Sequence, residues 1–283
     1  NSKYLKKMKI FLIDKFLIRH LGFLYLEIKS ALFVKYSVKG NFKFFKRLYV
    51  RYFVNYLESF KYYIFYKTKT NDQDLYLDQN YKLNTHGIEF LTKQNINHFN
   101  FLNYNKEVDP KKATTENEID YIKAELYARN SGFHKLVQNY LNVSSCNFYI
   151  ASHNTFPYEK DEQVKTSFWH RDRDGIKLVK IFIYLTDVGP ECGGHFFILG
   201  SHKKKPLKFA PQFRYRDKVV KKSFKNENII EIFGDAGTCF MEDTTGFHKG
   251  SKPVNGNTRS ILAFTYFTGP LYYDENCGTV DLV

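Results

Sequence analysis

His170 and Asp172 in the run SFWHRD, His248 in TTGFHKGS and Arg259 eleven positions later in GNTRSILAFTYF are the residues of this chain best equipped for chemistry. Two imidazoles and one carboxylate can occupy one face of an octahedral ferrous ion and leave three positions open for a co-substrate and oxygen. An arginine adds a planar cationic fork that can grip a carboxylate, such as the far end of a 2-oxoglutarate whose keto-acid end chelates the metal. A His-x-Asp pair alone is weak evidence, because short motifs recur by chance. The ordered set carries the weight: the pair ends an extended run (VKTSFWH), strand-like segments follow, and the second histidine shortly precedes a final strand that begins with the arginine.

Residues so far apart in sequence need a scaffold that brings strand ends together. KIFIYLTDV, GHFFILG, IIEIF, GTCFME and SILAFTYF are short β-branched and aromatic runs, separated by the turn signals VGPECGG, FGDAG and VNGN. Many short strands with glycine-rich turns predict a mainly β fold. A double-sheet jelly roll with flanking helices fits, since it can enclose a metal at the mouth between its sheets.

Over roughly Leu83 to Phe267 the chain resembles the phytanoyl-CoA dioxygenase family of Fe(II)- and 2-oxoglutarate-dependent oxygenases. The matching stretches are LNTHGIEFLTKQNINHFNFLN, WHRD, KLVKIFIYLTDV, ECGGHFFILGSHK and GDAGTCFMEDTTGFHKGSKPVNGNTRSILAFTYF. The resemblance implies His170, Asp172 and His248 as metal ligands and Arg259 as the 2-oxoglutarate anchor, with Fe(II), 2-oxoglutarate and O2 as cofactors and co-substrates. It also implies hydroxylation of a substrate C–H bond with release of succinate and CO2; the retained Asp172 argues against halogenation. One departure is the turn GGHFFILGSH, where the family usually carries a Gly-Pro or similar small pair.

On KLVKIFIYLTDV, strand alternation puts Lys180, Phe182 and Tyr184 on one face. Lys180 and Phe182 are therefore candidates to touch 2-oxoglutarate or substrate, against the alternative that large residues here fill the barrel. The same alternation turns Trp169 away from His170 and into packing. His153 is the reserve ligand candidate; His134, His195 and His202 read as structural or surface residues.

Charge is unevenly spread. Residues 1–70 hold sixteen Lys and Arg against Asp14, Glu27 and Glu58, so they carry nearly all of the net +14. Apolar positions recur there at helical spacing, predicting a basic amphipathic helical extension over 1–70 ahead of a catalytic domain over 71–283. Such helices can lie on an anionic membrane surface or pack on the barrel. No stretch is apolar enough to span a bilayer, and no cleavable leader is apparent. Nucleic-acid binding ranks last, since basic charge without a recognition motif gives only non-specific affinity.

A second basic stretch, residues 202–228, holds ten Lys and Arg against Asp217 and Glu227. Overhanging the barrel mouth, Lys203, Lys204, Lys205, Arg214 and Arg216 would favour a small or lipid-linked anionic substrate; alternatively the stretch is a solvated loop. Cys146, Cys192, Cys239 and Cys277 lack CxxC spacing and read as thiols of a reducing cytoplasm, with peripheral contact at the inner membrane surface through residues 1–70. Thr70 to Asp120 reads as a linker into the first catalytic elements, and ENEIDYIKAELYARN as a helix. The alternative function is a non-catalytic jelly-roll binding protein that uses its basic arm on an anionic surface.

Overall fold

A computed structural model describes residues 82–103, 113–157, 167–172, 177–204, 206, 209, 214–268 and 278–282. The expected helical extension over 1–70, with Lys205 and Cys277, lies outside the described residues.

Two antiparallel sheets face each other as a jelly roll. The larger is built from β1 (Ile88–Leu91), β11 (Cys239–Glu242), β7 (Lys177–Tyr184), β13 (Arg259–Thr268), β5 (Ser145–Thr155) and β14 (Gly278–Asp281) in that order, with β3 (Thr114–Glu116) also paired to β5. The smaller runs β10 (Ile229–Ile232), β8 (His195–Ile198), β12 (His248–Gly250), β6 (Trp169–His170) and β9 (Arg214–Tyr215). β2 (Leu102–Asn103) and β4 (Glu118–Ile119) form a separate ribbon.

Alternation decides what each face of the larger sheet buries. Val179, Ile181 and Ile183 on β7, Leu262, Phe264 and Tyr266 on β13 and Phe148 and Ile150 on β5 point outward. There they pack under α2 (Tyr121–Asn130) and α3 (Phe133–Leu141), which contribute Ala124, Ala128, Phe133 and Val137. Phe182, Tyr184, Phe240 and Ile261 point inward and meet Phe197 and Ile232 of the smaller sheet. Both faces of β7 and β13 are thus buried, which explains why these strands read as nearly continuous apolar runs.

The helix expected across ENEIDYIKAELYARN begins later than the sequence suggests. Asp120 caps it, its side chain accepting from the Lys123 N–H, and the residues before it pair as β3 and β4. The stretch expected to be a linker likewise contributes α1 (Lys82–His86) and β1, which extends the larger sheet beside β11.

The second basic stretch contains regular structure. It holds β9 and α4 (Asp217–Lys221), and its Phe209, Tyr215, Val220 and Phe224 pack with Trp169 and Phe247 on the outer face of the smaller sheet. Trp169 turns away from the interior, as expected, and Lys249 Nζ lies 5.2 Å from its ring centroid. Cys146 and Cys239 are buried thiols and Cys192 is partly exposed.

Candidate metal centre

β12 pairs with β6 so that His248 lies opposite His170, and with β8 so that the same histidine lies opposite Phe197. Both imidazoles therefore project from the inner face of the smaller sheet, with ring centroids 4.2 Å apart. Asp172 follows β6, its backbone N–H held by the Thr244 carbonyl at 2.8 Å. One donor atom each from His170, Asp172 and His248 can be chosen so that all lie within 4.8 Å of one another.

The rings are oriented by backbone carbonyls. His170 Nδ1 lies 2.8 Å from the Phe168 oxygen, and His248 Nδ1 lies 3.1 Å from the Gly246 oxygen. A carbonyl accepts only, so each Nδ1 carries the proton and each Nε2 keeps its lone pair. Those nitrogens face the carboxylate: His170 Nε2 is 4.0 Å from Asp172 Oδ1, and His248 Nε2 is 3.6 Å from Oδ2. The segment before His248 is fixed by Tyr140 of α3, which donates to Asp243 at 2.6 Å, and by Ser201, whose hydroxyl accepts from the Phe247 N–H at 2.7 Å.

Electrostatics favour metal-ready protonation states. Burial pushes the His170 and His248 imidazoles below their ordinary range, so they stay neutral. Burial would raise the Asp172 carboxyl, but the Lys180 ammonium beside it overrides that and holds the group well below the usual carboxylate range. Two neutral imidazoles and an ionised carboxylate are a donor set suited to non-haem Fe(II).

Arg259 opens β13 and is buried; its Nη1 donates to the Gly193 and Gly194 carbonyls. Among the described residues its Nε is buried with no hydrogen-bond partner, an unmet donor of the kind an incoming carboxylate would satisfy. Gly250 makes room for the guanidinium, since a Cβ there would lie 2.6 Å from Nη2. Gly193 sits at φ +76°, a left-handed conformation that glycine adopts freely. The turn that departs from the usual family sequence thus holds the arginine through its carbonyls.

Lys180 and Phe182 take different places. Lys180 Nζ is 2.8 Å from Asp172 Oδ2, so it reaches the cluster through the carboxylate. Phe182 lies in the apolar layer between the sheets, 5.0 Å from the His195 ring and 5.3 Å from Phe240. His153, on β5 opposite Ile261, lies outside the three-residue cluster, with Nδ1 3.9 Å from Glu116.

Glu242 at the site was not singled out from the sequence, and His195 was read there as a structural or surface residue. Glu242, fully buried on β11, has Oε2 2.8 Å from His195 Nε2 and Oε1 3.7 Å from His248 Nδ1. His195 is stacked 5.7 Å from the His248 ring. Burial pushes Glu242 well up and His195 down to about 3, so the pair is held in its neutral forms. The available signal was an acid at the inward position of GTCFME, two residues after Phe240, where a buried strand should carry an apolar side chain.

No curated protein matches the chain. Among solved structures it is similar to EvdMO1 (15% identity, TM-score 0.44, 68% of this chain), of which it spans 49%. It is also similar to AviO1 from Streptomyces viridochromogenes Tue57 (14%, 0.44, 69% of this chain and 97% of that one). HygX from Streptomyces hygroscopicus, with nickel and 2-oxoglutarate bound, is a further similar structure (18%, 0.42, 68% and 87%). The family pattern described as phytanoyl-CoA dioxygenase (PhyH) matches residues 88–261. The chain therefore belongs to the phytanoyl-CoA dioxygenase family of non-haem iron, 2-oxoglutarate-dependent oxygenases.

Proposed function

We propose that this protein hydroxylates a C–H bond of a small or lipid-linked anionic metabolite, with His170, Asp172 and His248 holding Fe(II) and Arg259 anchoring 2-oxoglutarate. The observation that carries the reading is the convergence of two Nε2 lone pairs and one ionised carboxylate on a single interior point. Bound there, iron would supply the oxidising chemistry by which 2-oxoglutarate, O2 and the substrate C–H become succinate, CO2 and the hydroxylated product.

The chain's own residues do the rest. Phe168 and Gly246 hold the imidazoles in the ligating tautomer. Arg259 offers an unmet buried donor to the distal carboxylate, and its confinement beside Gly250 fixes the direction of that grip. Phe182, Phe197 and Phe240 line the space between the sheets, keeping bulk water from the reacting centre.

An anionic substrate is supported by register. Arg214 of β9 lies opposite His170 of β6, so the second basic stretch brings a cation to the strand next to the cluster. Lys203, Lys204, Lys205 and Arg216 belong to the same stretch. Among the described residues no helix is long and apolar enough to cross a membrane, and residues 1–70 are proposed to give peripheral contact with an anionic surface through their basic and apolar residues.

The test is an anaerobic titration of the protein with Fe(II) and then 2-oxoglutarate, followed by the visible charge-transfer band of the chelate. A band in the native protein that needs far more 2-oxoglutarate in Arg259→Ala supports the reading. A folded protein that gives no band removes it. Liposome co-sedimentation with and without residues 1–70 tests the membrane contact, which fails if removal changes nothing.

A further inference from the structure

The larger sheet sends the Lys180 side chain across to the metal cluster. Lys180 lies opposite Glu242 of β11 and opposite Thr265 of β13, so Glu242, Lys180 and Thr265 form an inward-facing row. Glu242 and Thr265 are fully buried, and Lys180 Nζ also stands 5.9 Å from the Tyr149 ring centroid. Between these neighbours the ammonium meets Asp172 at Oδ2, 2.8 Å away.

That contact bears on how many metal positions Asp172 can fill. An octahedral ion has six. Two imidazoles and one carboxylate oxygen leave three open, enough for a chelating keto acid and oxygen together. A carboxylate binding through both oxygens would leave only two, and the keto acid would take both. Oδ2 stands 2.8 Å from the Lys180 ammonium, and the positive charge beside that oxygen makes it the poorer metal donor of the two.

We propose that Lys180 is a positioning residue that occupies Oδ2 of Asp172 and so limits this carboxylate to one metal bond, through Oδ1, keeping the third position open. The proposal rests on the metal reading above. Glu242 is the cross-strand neighbour of Lys180 in register, and its own oxygens face His195 and His248.

The experiment compares native protein, Lys180→Met and Lys180→Arg, with calorimetric unfolding as the folding control. Mn(II) affinity is measured first, then 2-oxoglutarate affinity of the Mn(II)-loaded protein, then the Fe(II) charge-transfer band under anaerobic conditions. In Lys180→Met, Mn(II) should bind at least as tightly as in the native protein, because a competing cation is gone. Its 2-oxoglutarate affinity should fall by about tenfold and the band should weaken, the lower end of the range for lost support of a metal ligand. Lys180→Arg should restore both, since a guanidinium can hold the same oxygen.

Unchanged 2-oxoglutarate binding in Lys180→Met overturns the proposal. A folded Lys180→Met that loses Mn(II) as well also overturns it, because the lysine would then serve metal retention. A native protein that binds neither Mn(II) nor Fe(II) overturns the underlying metal reading, an outcome recognisable before any variant is made.

Discussion

His170 and His248 face one another across the antiparallel pairing of β6 and β12, and each gives its Nδ1 proton to the carbonyl two residues before it. The same local device therefore orients both rings from two different strands. Replacing either histidine, or Asp172, with Ala should abolish Fe(II)-dependent succinate production while the protein still unfolds cooperatively. Persistent turnover in any of the three variants would refute their assignment as ligands.

Gly250 and Arg259 are coupled by space. Gly250→Ala would place a methyl group 2.6 Å from Nη2 and must displace the guanidinium. The expected result is a rise of roughly tenfold or more in the 2-oxoglutarate concentration needed for half-maximal rate, as for small misplacements of positioning groups, with Fe(II) affinity unchanged. An unaltered 2-oxoglutarate dependence would mean that Arg259 does not anchor the co-substrate from this position.

Stability should fall on the acid side of neutrality. Burial, then the nearby Arg259 charge, pushes His195 from its ordinary 6.5 down to about 3. A depressed folded pKa means that the stabilising contribution is complete above about pH 6.5 and is lost as pH falls towards 3, at about 1.4 kcal/mol per pH unit for this one group. Glu242, pushed up by burial, acts in the opposite sense, stabilising below the ordinary carboxylate range and losing that contribution as pH rises. His170 and His248, also pushed down by burial, act in the same sense as His195 and outweigh Glu242, so thermal unfolding of the metal-free protein at pH 7, 6 and 5 should show Tm dropping, with a shallower slope in His195→Gln. Equal slopes in the two proteins would contradict the buried neutral imidazole.

Phe264 is the centre of the outer aromatic layer. Its ring lies 5.6 Å from Phe133, 6.2 Å from Tyr127 and 6.4 Å from both Phe101 and Phe148. Phe264→Ala should cost about 3–5 kcal/mol, the range for removing a fully buried aromatic ring, as measured by urea unfolding. A loss under ~1 kcal/mol would show that the helices repack over the gap.

The chain by itself determined the strands and the reactive residue types. Apolar alternation in KIFIYLTDV, GHFFILG, IIEIF, GTCFME and SILAFTYF corresponds to β7, β8, β10, β11 and β13, because each must bury at least one face and its period is fixed by the backbone. The ordered set of His170, Asp172, His248 and Arg259 was legible for the same reason: their types carry the chemistry wherever the fold puts them.

Only tertiary structure decided what those residues touch. The Lys180 contact with Asp172 crosses from one sheet to the other, and Glu242 meets His195 and His248 across the same interior. No local pattern encodes a distance between sheets, because alternation gives the face of a strand and says nothing of the partner opposite it. The buried aromatic anchors of the second basic stretch, Phe209, Tyr215 and Phe224, were hidden in the sequence by the charges around them. They are buried because the outer face of the smaller sheet offers Trp169 and Phe247 to cover.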